Sequence, residues 1–165
     1  LKDEISLITK ELQSFNSKSN YNDDLSLAEN LKNLKKQLAQ TKIENIKKDK
    51  SKNIIKEKKI GNIFVREQTL KDFPPKELRN IIDKGKKEIK DGIIICISSF
   101  EGKVGVAVGV TEKLTSKYDA VNLVKVSSEV LGGKGGGGRK DFAQAGGVDQ
   151  SKIEQAFEAV RKKIN

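Results

Sequence analysis

The first part of the chain has apolar residues at the three–four spacing of amphipathic helices. Ile5, Ile8, Leu12 and Phe15 follow it in one segment, and Leu27, Leu31, Leu34 and Leu38 form a coiled-coil seam in a second. Residues 14–21, rich in Ser, Asn and Lys, interrupt the pattern between the two segments. We therefore predict two helices joined by a polar link and arranged as an antiparallel helical hairpin, a coiled-coil arm.

The second of these helices is expected to start after Asp23 and Asp24, whose side chains suit a helix amino end. Its seam weakens beyond Leu38, because Thr41 and Asn45 occupy the next positions. A stripe this narrow calls for a partner to bury it, either a second copy of the chain or the rest of a larger protein. A single long, exposed helix is the alternative.

The hydrophobic pattern changes near residue 60, where short apolar runs typical of strands alternate with segments of helical periodicity. Residues 60–67, 93–98 and 104–110 predict strands, and helices are predicted after Phe73-Pro74-Pro75, near Ala120 and from Ser151. A glycine-rich loop separates the last two helices. We predict an α/β domain, an α+β sandwich, over residues 60–165 behind a helical arm over residues 1–59.

Charge narrows the range of partners. The chain has 33 Lys+Arg against 23 Asp+Glu, a net charge of +10. Half of this excess lies in residues 47–59, where seven lysines face only Asp49 and Glu57. Such a segment favours a polyanion such as nucleic acid. A solvated helix end in a lysine-rich chain is the alternative that charge alone leaves open.

Composition also bounds the chemistry. With no histidine and one cysteine, the chain cannot assemble the usual zinc ligand sets or the common Ser-His-Asp and Cys-His arrangements. Cys96 lies in an apolar run, where we expect a small buried hydrophobe. We therefore predict a binding module with no catalytic residues and no metal site.

The same inventory bears on the setting of the chain. A lone cysteine fits a reducing, cytoplasmic setting, and no apolar run is long enough for a membrane span. The chain contains no methionine, which predicts that it is a piece of a longer protein.

Residues 132–147 hold eight of the fourteen glycines. Glycine lets backbone amides approach an anion, and lysine or arginine side chains among them add charge that suits phosphate. Gln144 has an amide that suits a base edge or a ribose hydroxyl, and Phe142 is expected to stack or to anchor the loop. The candidate nucleic-acid-binding residues are Gly132, Gly133, Lys134, Gly135, Gly136, Gly137, Gly138, Arg139, Lys140 and Gln144.

Several motifs together resemble the end of bacterial alanyl-tRNA synthetases. They are Gly132-Gly-Lys-Gly-Gly-Gly137, then Asp141-Phe-Ala-Gln-Ala-Gly-Gly147 and the helix over residues 152–160. Phe73-Pro-Pro-Lys-Glu-Leu-Arg79 and Gly102-Lys-Val-Gly-Val-Ala-Val-Gly109 resemble that family in the same order. The resemblance covers residues 60–165 in detail, whereas the arm matches only in kind.

The resemblance implies a function that composition alone does not. In that family the globular part binds the outer corner of tRNA, where the D and T loops meet, and assists aminoacylation and editing. The implied partner is the alanine-specific tRNA, and the helical part supports homodimer formation in some members. The ATP and zinc of the family belong to the rest of the enzyme, so no cofactor is expected in this piece.

Two alternatives remain beside this interpretation. The chain could serve chiefly as a self-association module, or as a single-stranded nucleic-acid-binding accessory domain of a DHH-type phosphoesterase. The glycine loop of those phosphoesterases normally carries a histidine. Here the corresponding position is Arg139 or a neighbour, which favours the synthetase.

Overall fold

The chain divides after Asp49 into two units, and the computed structural model describes residues 1–164. The first unit contains the helices α1 (Lys2–Ser14) and α2 (Leu27–Lys48). The strands described in the second unit are β1 (Asn53–Ile60), β2 (Ile63–Lys71), β3 (Gly92–Phe100), β4 (Lys103–Val110), β5 (Gly136–Gly138) and β6 (Phe142–Gly147). Its helices are α3 (Leu78–Glu88), α4 (Ala120–Val130) and α5 (Ile153–Ile164). The predicted fold class, an α+β unit after amino-terminal helices, is confirmed.

The two helices of the first unit run parallel, so the predicted antiparallel orientation was wrong. Glu4 Oε2 of α1 lies 3.4 Å from Lys35 Nζ of α2, and Glu11 Oε1 lies 2.9 Å from Lys42 Nζ. Both partners advance by the same number of residues from the first pair to the second. Such a register requires the same chain direction in both helices.

The link between α1 and α2 runs back along α2, and this makes the parallel arrangement possible. Gln37 of α2 donates its amide to the Lys18 carbonyl at 2.8 Å and accepts from the Asn20 amide at 3.0 Å. Nearer the amino end of α2, the Asn30 side chain accepts a hydrogen bond from the Asn22 amide at 2.9 Å. An extended link over residues 15–26 can span roughly 40 Å, whereas α1 rises only about 20 Å. Polar composition predicted the link but not its direction.

Helix α2 begins with a capping box, not with the predicted acidic pair. Ser26 Oγ accepts from the Glu29 amide at 3.2 Å, and the Glu29 carboxylate accepts from the Ser26 amide at 2.9 Å. The two hydrogen bonds from Ser26 lower the pKa of Glu29. The Ser-x-x-Glu spacing that satisfies both end groups outweighs the charge of Asp23 and Asp24, which lie three and two residues before Ser26.

The leucine seam of α2 packs within the first unit, with its two central leucines buried and the outer two partly buried. Leu34 and Leu12 have no exposed surface, and Leu31 and Ile5 are buried with them in one cluster. The seam therefore packs on α1 of the same chain and does not need a second copy to cover it. Self-association of the arm stays a prediction, but without the unburied seam that motivated it.

The second unit is built on one mixed sheet with the strand order β1-β2-β3-β4-β6-β5. Strands β2 and β3 pair in parallel, and the other neighbours are antiparallel. A parallel pair needs a crossover connection, which α3 supplies. The predicted strands over residues 93–98 and 104–110 and the three predicted helices are confirmed.

Helices cover both faces of this sheet. Ile93, Ile95 and Ile97 of β3 point into a core formed with α4 and α5. On the opposite face, Ile94 packs so closely on α3 that a Cβ at Gly85 would lie 2.6 Å from it. Cys96 points the same way and is fully buried, and burial raises the pKa of its thiol. Its predicted role as a small buried hydrophobe is confirmed.

Much of the lysine-rich stretch forms a strand that the sequence analysis missed. Strand β1 pairs with β2 across a two-residue turn at Gly61 and Asn62, and Gly61 has a φ of +61°. The strand predicted over residues 60–67 therefore contains a hairpin turn. The two units separate after Asp49, ten residues before the predicted boundary at 59. Alternating lysines suit the exposed edge of a sheet.

No helix within residues 1–164 is long and apolar enough to cross a membrane. Over the same residues, no group of three or more histidine, cysteine or acidic side chains is arranged to hold a metal ion. The most buried carboxylate of the second unit, Glu67, instead binds Arg161 of α5.

Candidate nucleic-acid interface

The glycine-rich segment starts where α4 ends. Gly132 has a φ of +77°, a left-handed conformation that commonly ends helices. A Cβ on Gly133 would lie 2.0 Å from the Gly146 carbonyl oxygen and 2.4 Å from Ser128 Oγ. Ser128 Oγ donates to that same carbonyl at 2.7 Å. The fold itself therefore requires glycine at positions 132 and 133.

Part of the predicted glycine loop is a strand. β5 consists of three glycines that pair with β6 at one edge of the sheet. A Cβ on Gly136 would lie 2.1 Å from the Gln144 carbonyl oxygen, and one on Gly138 would lie 2.4 Å from that of Phe142. A Cβ on Gly137 would meet no atom within 4 Å. Packing requires two of these glycines and leaves the third open.

Changing Gly133 to alanine should destabilise the second unit by about 1–3 kcal/mol, the usual cost of overpacking. The added methyl group must displace the β6 backbone at Gly146. Gly137→Ala adds the same group in open space and should change the free energy of unfolding by less than about 0.5 kcal/mol. Urea unfolding followed by circular dichroism measures both. Equal losses would contradict the packing explanation.

Arg139, Lys140 and Asp141 join β5 to β6, and we name them the basic turn. The Arg139 amide donates to the Phe142 carbonyl at 2.7 Å, and the Lys140 carbonyl accepts from the Ala120 amide of α4 at 2.9 Å. The backbone is thus held while the Arg139 side chain is 68% exposed. Lys134 precedes β5, so roughly 10 Å of strand separates it from the basic turn. Of the predicted cations, the structure brings only Arg139 and Lys140 together.

Helix α3 adds two cations that the sequence analysis missed. The Arg79 guanidinium lies 5.3 Å from the centre of the Phe142 ring, and Lys86 Nζ donates to the Asp141 carbonyl at 2.6 Å. Their spacing places both on one face of the helix, and this can be predicted from the sequence. The sequence does not show that this face lies next to the start of β6. Burial lowers the pKa of Lys86, although Asp141 acts in the opposite direction.

The two carboxylate oxygens of Asp141 lie near different cations, Arg139 of the basic turn and Lys86 of α3. Its Oδ1 lies 3.4 Å from Arg139 Nε, and its Oδ2 lies 3.8 Å from Lys86 Nζ. Together with Lys140, Thr115 and Glu112 they line a shallow depression beside the basic turn. The site is therefore cationic but partly balanced by its own acid.

The remaining predicted contacts have partners within the protein. Gln144 Nε2 donates to the Pro75 carbonyl at 2.8 Å, which ties β6 to the turn before α3. Its predicted contact with a base or ribose is untested, but this donor is already engaged. Phe142 is half-buried beneath Arg79, in agreement with the anchoring alternative.

The lysines of β1, which form part of the lysine-rich stretch, do not gather at this site. Lys56, Lys58 and Lys59 lie on β1, and the strand order puts β1 and β5 at opposite edges of the sheet. Lys58 Nζ is also 3.6 Å from Glu67 Oε1. The basic turn and the lysine-rich strand are therefore two separate cationic features.

Comparison with known proteins agrees with this architecture. The DHHA1 domain family model matches residues 61–165. The alanine–tRNA ligase of Bradyrhizobium diazoefficiens is 43% identical over 106 residues, which are 64% of this chain and 12% of that enzyme. The alanine–tRNA ligase of Hyphomonas neptunium is 51% identical over 86 residues, which are 52% of this chain and 10% of that enzyme. The chain thus spans a small part of the relatives it matches.

A solved structure gives the same result in three dimensions. The C-Ala domain of Aquifex aeolicus alanyl-tRNA synthetase is similar with a TM-score of 0.62 and 29% identity, over 66% of this chain and 96% of that domain. The resemblance to the carboxyl-terminal region of alanyl-tRNA synthetases is confirmed by both comparisons. With its family model matching well over half of the residues, this chain belongs to the DHHA1 domain family.

Proposed function

We propose that this chain is the carboxyl-terminal tRNA-binding module of a cytoplasmic alanyl-tRNA synthetase, with no catalytic residues of its own. The observation that supports this best is the basic turn. Its two exposed cations stand on a backbone that β5, β6 and α4 hold in place. It occurs in a fold similar to the C-Ala domain of such an enzyme.

The outer corner of tRNA suits such a surface. A folded RNA presents phosphates and ribose hydroxyls in a fixed arrangement, and proteins read that arrangement mostly by shape. Phosphate contacts fix position and carry no sequence information. Arg139 and Lys140 would then hold the tRNA, while selection of the alanine tRNA takes place elsewhere in the enzyme.

Replacing Lys134, Arg139 and Lys140 together by alanine should weaken binding of an alanine tRNA transcript and flatten its salt dependence. Each phosphate contact contributes about 0.7–0.9 to the slope of log K against log salt concentration. If all three side chains bind phosphate, the slope should fall by about two units. Filter binding between low and moderate salt measures it.

The matched control removes three lysines from elsewhere in the second unit. Lys103 lies at the far end of β4, and Lys162 and Lys163 lie on α5, and all three are exposed. Their replacement lowers the net charge equally and should leave the slope nearly unchanged. Equal slopes in the two triple variants would remove the RNA site from the basic turn.

Binding of single strands is the alternative that the same surface allows, because basic grooves also bind unstructured nucleic acid. Competition between the tRNA transcript and a uridine homopolymer of the same length separates the two. We expect the tRNA to compete more strongly. Equal competition would favour the single-strand function.

A further inference from the structure

We propose that Asp141 makes the basic turn selective for folded RNA, by weakening its attraction for phosphate in general. The proposal rests on the proposed function, since it takes the basic turn to be the RNA site. Asp141 would act through Arg139, and it is therefore a specificity-determining residue that need not touch the RNA.

The geometry that supports this is the position of one carboxylate inside the cationic turn. Asp141 lies 3.4 Å from Arg139 and 3.8 Å from Lys86 through its two oxygens. The Lys140 side chain is exposed beside them. A phosphate that approaches Arg139 meets the negative charge of Asp141 at the same place. This repulsion weakens the binding of every polyanion to the basic turn, whatever the shape of the polyanion.

The backbone of Asp141 is held independently of its carboxylate. Its carbonyl oxygen accepts from the Val110 amide at 2.9 Å and from Lys86 Nζ at 2.6 Å. Gly109 makes room for the Lys86 side chain, since a Cβ there would lie 2.9 Å from Lys86 Cε. Asp141→Asn therefore removes the charge and keeps the contacts that position the turn.

The same carboxylate, 3.4 Å from Arg139 Nε, also favours one direction of the Arg139 guanidinium. A ligand whose phosphates are fixed gains from a cation that is already oriented, because less side-chain freedom is lost on binding. A flexible strand can adapt to whichever cation is free and gains little. Repulsion acts on both ligands and orientation helps only one, which is how an unfavourable element produces specificity.

Asp141→Asn is expected to strengthen binding of a uridine homopolymer about three- to fivefold at low salt, the scale of one released surface ion pair. Its salt slope should steepen by roughly 0.7 as Arg139 becomes free for phosphate. Binding of the alanine tRNA transcript should rise less or fall, so that the ratio of the two affinities decreases. Filter binding of both RNAs to the full chain gives this ratio.

Glu158→Gln is the matched control, because Glu158 is exposed and lies 3.7 Å from Lys162 on α5. It changes the net charge equally and should leave the ratio unchanged. In an Arg139→Gln background, the gain in homopolymer binding from Asp141→Asn should be smaller, because no Arg139 side chain remains to be released. Thermal unfolding checks that each variant is folded, and Asp141→Ser replaces Asp141→Asn if that variant is not.

Three results would overturn the proposal. They are an unchanged ratio of the two affinities, a gain from Asp141→Asn that is equally large without Arg139, or a loss for both RNAs, which would mean that Asp141 only supports the turn. None of these requires the proposed function to fail. That function fails separately if the wild-type chain shows no preference for tRNA.

Discussion

Replacing Arg161 by methionine should lower the free energy of unfolding of the second unit by about 3–5 kcal/mol, the usual result of breaking a buried ion pair. Arg161 of α5 forms two hydrogen bonds with the carboxylate of Glu67 on β2, one of them at 2.6 Å. Glu67 is only 3% exposed. Without Arg161, the nearest cation to this buried charge is Lys58, at 3.6 Å. Urea unfolding monitored by circular dichroism measures the loss.

The adjacent residue is a control for this effect. Lys162→Met removes a cation from the same helix, but its partner Glu158 is exposed and 3.7 Å away. We expect a change below about 1 kcal/mol there. The double variant Glu67→Leu with Arg161→Met should recover most of the loss, because no buried charge remains. If the two single variants lose the same stability, Glu67 is solvated and this explanation is wrong.

Asn30→Ala should destabilise the first unit by about 2–4 kcal/mol, because it removes four partly buried hydrogen bonds to the backbone of the link and of the helix start. The Asn30 side chain is fully buried, accepts from the Asn22 amide and donates to the Asn22 carbonyl at 2.9 Å. It also donates to the carbonyls of Leu25 and Ser26. These bonds hold the link that returns the chain to the start of α2. Limited proteolysis within residues 15–26 and loss of helical signal measure the effect.

Asn33 on the same helix provides the comparison, because its side chain is exposed. Asn33→Ala should leave stability unchanged or raise it slightly, since alanine has the higher helix propensity. If Asn30→Ala is equally harmless, the link does not depend on this amide and the parallel packing of α1 and α2 lacks its main polar support.

The fold was predictable where an element has a long apolar run or an apolar stripe. The nearly continuous apolar runs of β3 and β4, which are buried on both faces, and the apolar stripes of α3, α4 and α5 can be identified from the local sequence pattern. Strand β1 was missed because its lysines at an exposed edge resemble a solvated charge run. The relative direction of α1 and α2 was not predicted, because a polar link of this length can join two helices in either orientation. Hydrogen bonds between the link and the side chains of Gln37 and Asn30 select the parallel orientation.

The candidate site was predictable only in part. Arg139 and Lys140 are neighbours in sequence and remain neighbours in the structure. Lys86 and Arg79 were not predicted as part of the site, because helical spacing shows which residues share a face but not what that face contacts. Gln144 was predicted to meet RNA, and the structure shows its amide bound to Pro75.

By itself, the sequence determined the properties that depend on near neighbours in the chain. These are the α+β pattern, the lack of histidine chemistry and the concentration of glycine and charge over residues 132–147. Only the tertiary structure decided which glycines packing requires and which cations share the carboxylate of Asp141. Lys86 and Asp141 are 55 residues apart and meet because the sheet brings α3 to the basic turn. Contacts of that range depend on how the elements pack, and packing joins residues that no local pattern relates.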